Sequence, residues 1–496
     1  MCKSYNYPGF LHYSERNMAV AQIRILSEDD VEKVHEKTLE MLANPGVAVH
    51  SSKALKVLES GGAKIDWKRM RASIPEDLVK ETIGCLPKSM RFGARNPKQD
   101  MLFPRDGTPY MATNGTAVYM TDMATGEKRT TTGADLRDFM VLCDAMEPID
   151  YVWPIVTAHD APDENHALSE LTICLLNTTK HVQGEAMSEE EARAQVEVAS
   201  EIAGGEDALR KRPLFSVIQC PICPLEFEKG SIEATMEFAR AGIPVVSMSM
   251  ALMGLTSPVT LASTIAIVNA ENLASFAISQ LTRKGAPVVY SSESTSPNMM
   301  TGEIHYGALE ELLLSAASAQ MADHYGAASM VGGFGVGLGG ESPGIQLDPA
   351  EMLFTGMTSA TGTDFASGLG GLDQAKGASL EQIVIDSDLW ESVKGLRRIV
   401  SLDDAHFALD LVRSVGPGGT FLKDLHTVRN MKKELFIQNP EKAKNTALYQ
   451  LSKDRKEMIQ SARERVTRVL STHRPEQVDA DTKARVDRIL AKHQSG

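Results

Sequence analysis

Cysteine is scarce in this sequence, six residues in 496. That excludes a disulfide framework and makes a reduced, cytoplasmic setting the expectation. No apolar run reaches the roughly 18 residues that a membrane span needs. The first 17 residues are polar and aromatic, without the apolar stretch of a secretory signal. Basic residues are in deficit: 51 lysines and arginines stand against 65 aspartates and glutamates, a net charge of −14. Such a balance opposes nucleic-acid binding and suits a ligand or partner carrying positive charge. Also missing are a Walker A loop, a G-x-S-x-G elbow, an H-E-x-x-H zinc motif, internal repeats and low-complexity tracts.

What is present is an ordinary globular composition, 43% hydrophobic and 23% charged, with a surplus of methionine that reads as core filler. Ser27 followed by Glu28, Asp29 and Asp30 predicts a helix start. Val31, Val34, Thr38, Met41 and Leu42 then recur at helical spacing until Asn44-Pro45-Gly46. Two more helices are expected at Ser51–Ser60 and Pro75–Cys85, and short strands and turns from there to Asp122. Residues 1–135 therefore read as a helical cap with a small β element.

From residue 136 the rhythm changes. Short apolar runs occur at Tyr151–Val156, His181–Ala186, Leu214–Cys220, Pro244–Met250, Pro287–Ser292, Ser329–Phe334, Asp364–Leu369 and Gln382–Asp386, with amphipathic helices between them. Continuous apolar strands separated by helices imply a parallel sheet covered on both faces. Eight units over about 250 residues predict an α/β fold, a (β/α)8 TIM barrel at 136–400, with a doubly wound open sheet as the alternative. Residues 401–496 read as a charged helical extension.

The glycine-rich stretch Val331–Glu341, six glycines in eleven residues, follows the sixth of these runs. Gly335-x-Gly337-x-x-Gly340 matches a dinucleotide fingerprint, but Pro343 and Gly344 follow where that motif needs a helix. A loop over the barrel mouth fits better.

Barrels carry their chemistry at the C-terminal ends of the strands. Glu185 and Glu293 lie at two such ends, where paired carboxylates bind a cation, do acid–base work or form salt bridges. His305 follows the fifth run on a loop. Cys220-Pro221-Ile222-Cys223 lacks both a second ligand pair and a helix between its cysteines, so buried, inert thiols are expected and no metal site.

Several stretches together resemble the trimethylamine methyltransferase family. They are Gly254–Ala262, Asn269-Ala270-Glu271, Gly285–Tyr290, Leu314–Gln320 and His324-Tyr325-Gly326, with Thr125–Arg129, Asn177–His181 and Ser379–Asp386 beside them. The resemblance runs from about residue 26 over most of the chain. It implies a (β/α)8 barrel that moves a methyl group from a methylated amine to the cobalt of a separate corrinoid protein, which carries the only corrinoid (cobalamin) involved. It also implies a homo-oligomer. Members acting on trimethylamine carry pyrrolysine in the loop after strand six. Here that loop, Phe334 to Gln346, has neither pyrrolysine nor lysine. In this the chain is similar to members that demethylate quaternary amines such as glycine betaine, found in anaerobic bacteria. Proline betaine, carnitine and γ-butyrobetaine are the alternatives.

A quaternary ammonium has no N–H and already leaves as a neutral amine, so no residue has to activate it. Aromatic faces and carboxylates bind such a cation. The expected catalytic pair is Glu185 and Glu293. Tyr119, Tyr290 and Phe334 are expected around the ammonium, and Asn114, Gln219, His305 and Glu341 or loop N–H groups elsewhere on the substrate. A non-catalytic protein that binds a quaternary ammonium or the corrinoid partner is the alternative of a different class.

Overall fold

The computed structural model describes residues 21–105, 107–162, 165–333, 340–346, 349–394, 399–434 and 455–494. Eight parallel strands close into a barrel: β1 (Tyr110–Thr113), β2 (Tyr151–Val152), β3 (His181–Gly184), β4 (Phe215–Gln219), β5 (Val245–Ser249), β6 (Val288–Ser292), β7 (Ala328–Gly333) and β8 (Phe365–Leu369). A helix follows each strand: α1 (Gly133–Ala145), α2 (His166–Asn177), α3 (Glu189–Ala203), α4 (Lys229–Ala241), α5 (Leu261–Thr282), α6 (Leu309–Tyr325), α7 (Pro349–Thr358) and α8 (Leu380–Val393). The expected (β/α)8 barrel is therefore the fold.

Two expectations about its staves need correction. Gln382–Asp386 is not a strand but lies inside α8. Its β-branched run reads as a strand, yet Ser379 caps a helix there, accepting the backbone N–H of Glu381 (3.1 Å) and Gln382 (3.3 Å). The missing stave is β1, which pairs with both β8 and β2. The barrel thus begins near residue 110, inside the segment assigned to the cap, and the glycine-rich loop follows the seventh strand rather than the sixth.

The cap begins as its sequence predicts. Ser27 Oγ accepts from Asp30 N (3.2 Å), and the Asp30 carboxylate accepts from Ser27 N (3.1 Å). Leu42, Leu55, Leu58 and Ile83 of the cap are fully buried with Val268, Leu273 and Phe276 of α5. Each such side chain contributes about 2 kcal/mol by leaving water. This explains α5, whose 22 residues are mostly apolar and largely buried between cap and barrel.

The hairpin Met90–Phe92 with Met101–Phe103 covers the N-terminal end of the barrel. Phe92 packs tilted against Phe365 (4.7 Å between centroids) and edge-on to His181 (5.5 Å). Beneath the mouth, the interior between Tyr151, Gln183, Ser216, Val289 and Met330 leaves a void of only about 10 Å³.

The C-terminal helices Arg455–Thr472 and Ala480–Gln494 return to the barrel. Arg463 pairs with Glu381 (3.0 Å), Arg465 with Asp388 (2.9 Å) and Arg485 with Glu201 (2.6 Å), while Met458, Ala462 and Val466 join the core. Residues 399–434 differ: in their three short helices no described side chain is buried.

Candidate active site

Strand alternation decides which side chains reach the barrel mouth, because successive residues point to opposite faces. In β6, Val289 packs inside the barrel, whereas Tyr290 faces α5 and donates its hydroxyl to Asn269 Oδ1 (3.2 Å). In β4, Ile218 packs inside, whereas Gln219 faces α5 and accepts from Ser275 Oγ (3.1 Å). Tyr290 and Gln219, both expected at the substrate, are thus turned away from it. The same parity turns Cys220 and Glu293 inward. In β3, His181 and Gln183 both reach Ser216 inside the barrel, and Glu185 continues their face.

One cluster results. Glu185, Cys220 and Glu293 come from the ends of β3, β4 and β6, and Tyr306 and Glu311 join them from the loop and first turn leading into α6. Glu293 accepts a hydrogen bond from Ser367 of β8 (3.1 Å). Glu311 accepts the backbone N–H of Gly307 (2.6 Å) and of Gly333 (3.2 Å), tying the β6–α6 loop to the last residue of β7.

The electrostatics are one-sided. Burial raises the Glu293 carboxyl. Burial, then the Glu191 charge, raises Glu185. Burial raises Glu311 to about 7, with Glu293 adding to it against two backbone N–H groups. Burial, then Glu185, Glu293 and Glu271, pushes the Cys220 thiol up to about 12. Tyr306 is raised by burial and then by Glu293 and Glu311, so its phenol is a neutral donor. The charged neighbours acting on all five groups are acids. Cys220 is exposed by area yet surrounded by enough protein for burial to dominate its ionisation, as expected of a side chain lining a recess.

The expectation of two buried thiols is therefore not met: Cys220 is exposed and Cys223 only half-buried. Cys223 points elsewhere: Glu271 of α5 accepts from its Sγ (3.0 Å), from Ser249 Oγ (2.5 Å) and from Leu225 N (2.8 Å). The two sulfurs do not share a ligand set.

The rim is built by a small sheet of Tyr119–Thr121, Lys128–Arg129, Gly371–Leu372 and Gly377–Ala378. Tyr119 donates to Asp373 (2.8 Å), and Lys128 lies over its ring (4.7 Å), so that aromatic face already carries a cation. Glu341, exposed, pairs with the same Lys128 (3.4 Å). Both expected substrate residues are thus engaged in a surface network. Asp373, Gln374 and Ala375 all have positive φ (49°, 54° and 69°), and the turn they form lets Gln374 Oε1 accept the N–H of Tyr306 (2.6 Å). Asn114 is buried at the end of β1, packed at Gly371 and donating to Gly115 O (2.9 Å). His305 is half-buried beside Tyr306, and its carbonyl accepts from Thr295 (2.8 Å). Phe334 lies outside the described residues. Residues 340–346 are turn and bend, and the next helix begins only at Pro349, so no helix opens at Gly340 as a dinucleotide fingerprint requires.

The family model for trimethylamine methyltransferase matches residues 10–496. The chain belongs to the trimethylamine methyltransferase family. Curated relatives in this family of methyltransferases include the trimethylamine methyltransferase MttB of Desulfitobacterium hafniense strain DSM 10664 / DCB-2. It is 31% identical, covering 91% of this chain and 90% of the relative. The glycine betaine methyltransferase of Desulfitobacterium hafniense strain Y51 is 29% identical over 94% and 96%. Among solved structures, the Methanosarcina barkeri monomethylamine methyltransferase MtmB superposes with a TM-score of 0.50 at 10% identity, covering 96% of this chain and 88% of that one. A hydroxylamine complex of MtmB gives 0.51 at 10%, over 91% and 88%. At that identity the likeness establishes the fold alone.

Glu311, Tyr306 and Cys220 were not among the expected site residues. Acids in the first turn of a helix are commonplace, so Glu310-Glu311 gave no local signal. Cys220 was legible once the inward parity of β4 was known.

Proposed function

We propose that the protein binds a quaternary methylammonium in the acidic recess and passes one methyl group to the Co(I) of a corrinoid carried by a partner protein. One observation carries the reading: Glu185, Glu293 and Glu311 are gathered at the barrel mouth, and none of them forms a salt bridge among the described residues. Uncompensated buried carboxylates are costly, and a cation relieves that cost. The partner's Co(I) corrinoid supplies the nucleophile. On the side of this chain, Glu293 and Glu185 hold the positive nitrogen and the recess keeps water from the reacting carbon. Tyr306 adds a neutral phenol beside Glu293 and Glu311. Cys220, protonated at neutral pH, does not compete for the methyl group. The N–CH₃ bond breaks with its electron pair staying on nitrogen, so a neutral amine leaves and no proton has to be supplied.

The face around the recess supports docking of a partner. Met187, Ile222, Leu255, Val259 and Met300 expose large apolar side chains on the loops after β3, β4, β5 and β6. The reading places the enzyme in the cytoplasm and in a homo-oligomer. Glycine betaine is the first substrate to test, then proline betaine, carnitine and γ-butyrobetaine. The test supplies each to the purified protein with free cob(I)alamin and follows methyl transfer. Turnover of at least one is expected. Failure of all four with a competent acceptor would sink the reading, and ligand binding without turnover would favour a non-catalytic binding protein.

A further inference from the structure

The opposite end of the barrel carries a second, chemically inverse feature. A groove of about 510 Å³ lies between the covering hairpin and the segments that lead into β4, β5 and β6. Arg91, Arg210, Lys211 and Arg283 line it, and none of its lining residues is an aspartate or glutamate. In a chain of net charge −14 this is a local reversal of sign.

The cations are weakly compensated. Among the described residues the Arg283 side chain donates one hydrogen bond, to Arg240 O (3.2 Å), although a guanidinium has five N–H donors. Arg210 reaches Ala241 O and the exposed carboxylate of Asp207, each at 3.4 Å. Lys211 has no ion pair among the described residues. Arg91 pairs with Asp100 (2.9 Å), but that carboxylate also serves Arg212 (2.8 Å). Arg210 and Arg283 repel one another across Gly242. A Cβ on Gly242 (φ +84°) would stand 2.6 Å from Arg283 Nη1 and 3.0 Å from Arg210 Cγ, so a glycine is what lets the two side chains converge. The carbonyls at the C-terminus of α4 explain why guanidiniums gather there. They use few of the donors, and the rest border the groove.

We propose that this groove is a binding site for a small anion carrying two or more linked phosphate groups. Guanidinium forks match phosphate oxygens in pairs, and several cations around one groove call for a multivalent ligand. Leu102, half-exposed at the edge, offers an apolar surface beside it.

The experiment is calorimetric titration of the full chain with inorganic phosphate, pyrophosphate, ATP and adenosine, at low and raised salt. Pyrophosphate and ATP should bind saturably, more tightly than phosphate, and weaken as salt rises. Arg210→Gln with Arg283→Gln should weaken both by about tenfold or more, and Arg283→Lys should weaken them less. Thermal melts of each variant check that it is folded. Methyl transfer with free cob(I)alamin should be unchanged, since the groove is remote from the mouth. The proposal is overturned if neither pyrophosphate nor ATP binds, if the double variant binds them as tightly as the parent, or if adenosine matches ATP. Binding of pyrophosphate and ATP with equal affinity supports recognition of the phosphates alone. Tighter ATP binding adds a contact to the nucleoside.

Discussion

Glu311 is the residue whose ionisation is most exposed to measurement. Its folded pKa is about 7 against an ordinary 4.5. Between those values the folded protein keeps a proton that the unfolded chain has lost, so stability falls as pH rises through this window and the penalty is complete above it. Glu311→Gln should therefore be more stable than the parent at pH 8, by about 1–2 kcal/mol after allowing for the one backbone N–H that its amide nitrogen cannot accept, and no more stable than the parent near pH 4. Urea unfolding at both pH values checks this. On the proposed function a cationic ligand favours the ionised form, so affinity should rise from pH 6 to pH 8. Tyr290 of β6 and Glu293 just past its end give a sharper contrast. Glu293→Gln should lower methyl transfer at least about tenfold with no loss of stability, whereas Tyr290→Phe should cost about 1 kcal/mol of stability and leave KM unchanged. Equal effects on transfer would contradict the parity assigned to β6. This is also where sequence reading ran out. Tyr290 and Glu293 both sit at the end of an apolar run, and only closure of the barrel tells the inward residue from the outward one.

At the scale of elements, most staves were legible because a parallel strand buried on both faces is a continuous apolar run. β1 was not, because Tyr110–Thr113 sits among the turns and short strands of the segment before α1, with no helix leading into it among the described residues. Gln382–Asp386 misled in the opposite sense, since a buried helix also reads as an apolar run and only the Ser379 cap separates them. The rim turn at Asp373, Gln374 and Ala375 was invisible in the sequence, because none of the three is a glycine. Left-handed backbone at such residues costs about 1 kcal/mol each and persists where surrounding contacts fix it. Here Gln374 holds Tyr306 from above. Gln374→Ala should leave the melting temperature nearly unchanged while reducing kcat/KM several-fold by freeing the Tyr306 segment. Unchanged kinetics would show that this contact does not order the recess.

The molecule as a whole contains a segment that does not look finished on its own. Residues 399–434 follow α8 and expose Leu402, Phe407, Leu409, Leu422, Leu425 and Val428, all six by more than half. On the homo-oligomer proposed above, a second copy of the chain would cover this apolar surface. Leu422→Asp with Leu425→Asp should lower the mass measured by light scattering, and an unchanged mass would remove this segment from the interface. The barrel itself has a different whole-molecule consequence. With the hairpin at residues 90–103 across its N-terminal end and a void of only about 10 Å³ between Tyr151, Gln183 and Met330, the described part of the barrel is closed at that end. On the proposed function, donor and methyl acceptor would both use the C-terminal mouth, in turn. The amine would then be seated before the partner covers it, and the demethylated product would stay inside until the partner lifts away. Steady-state kinetics should therefore show a compulsory order, with the product amine competing against the donor and with release slowed as the partner concentration rises.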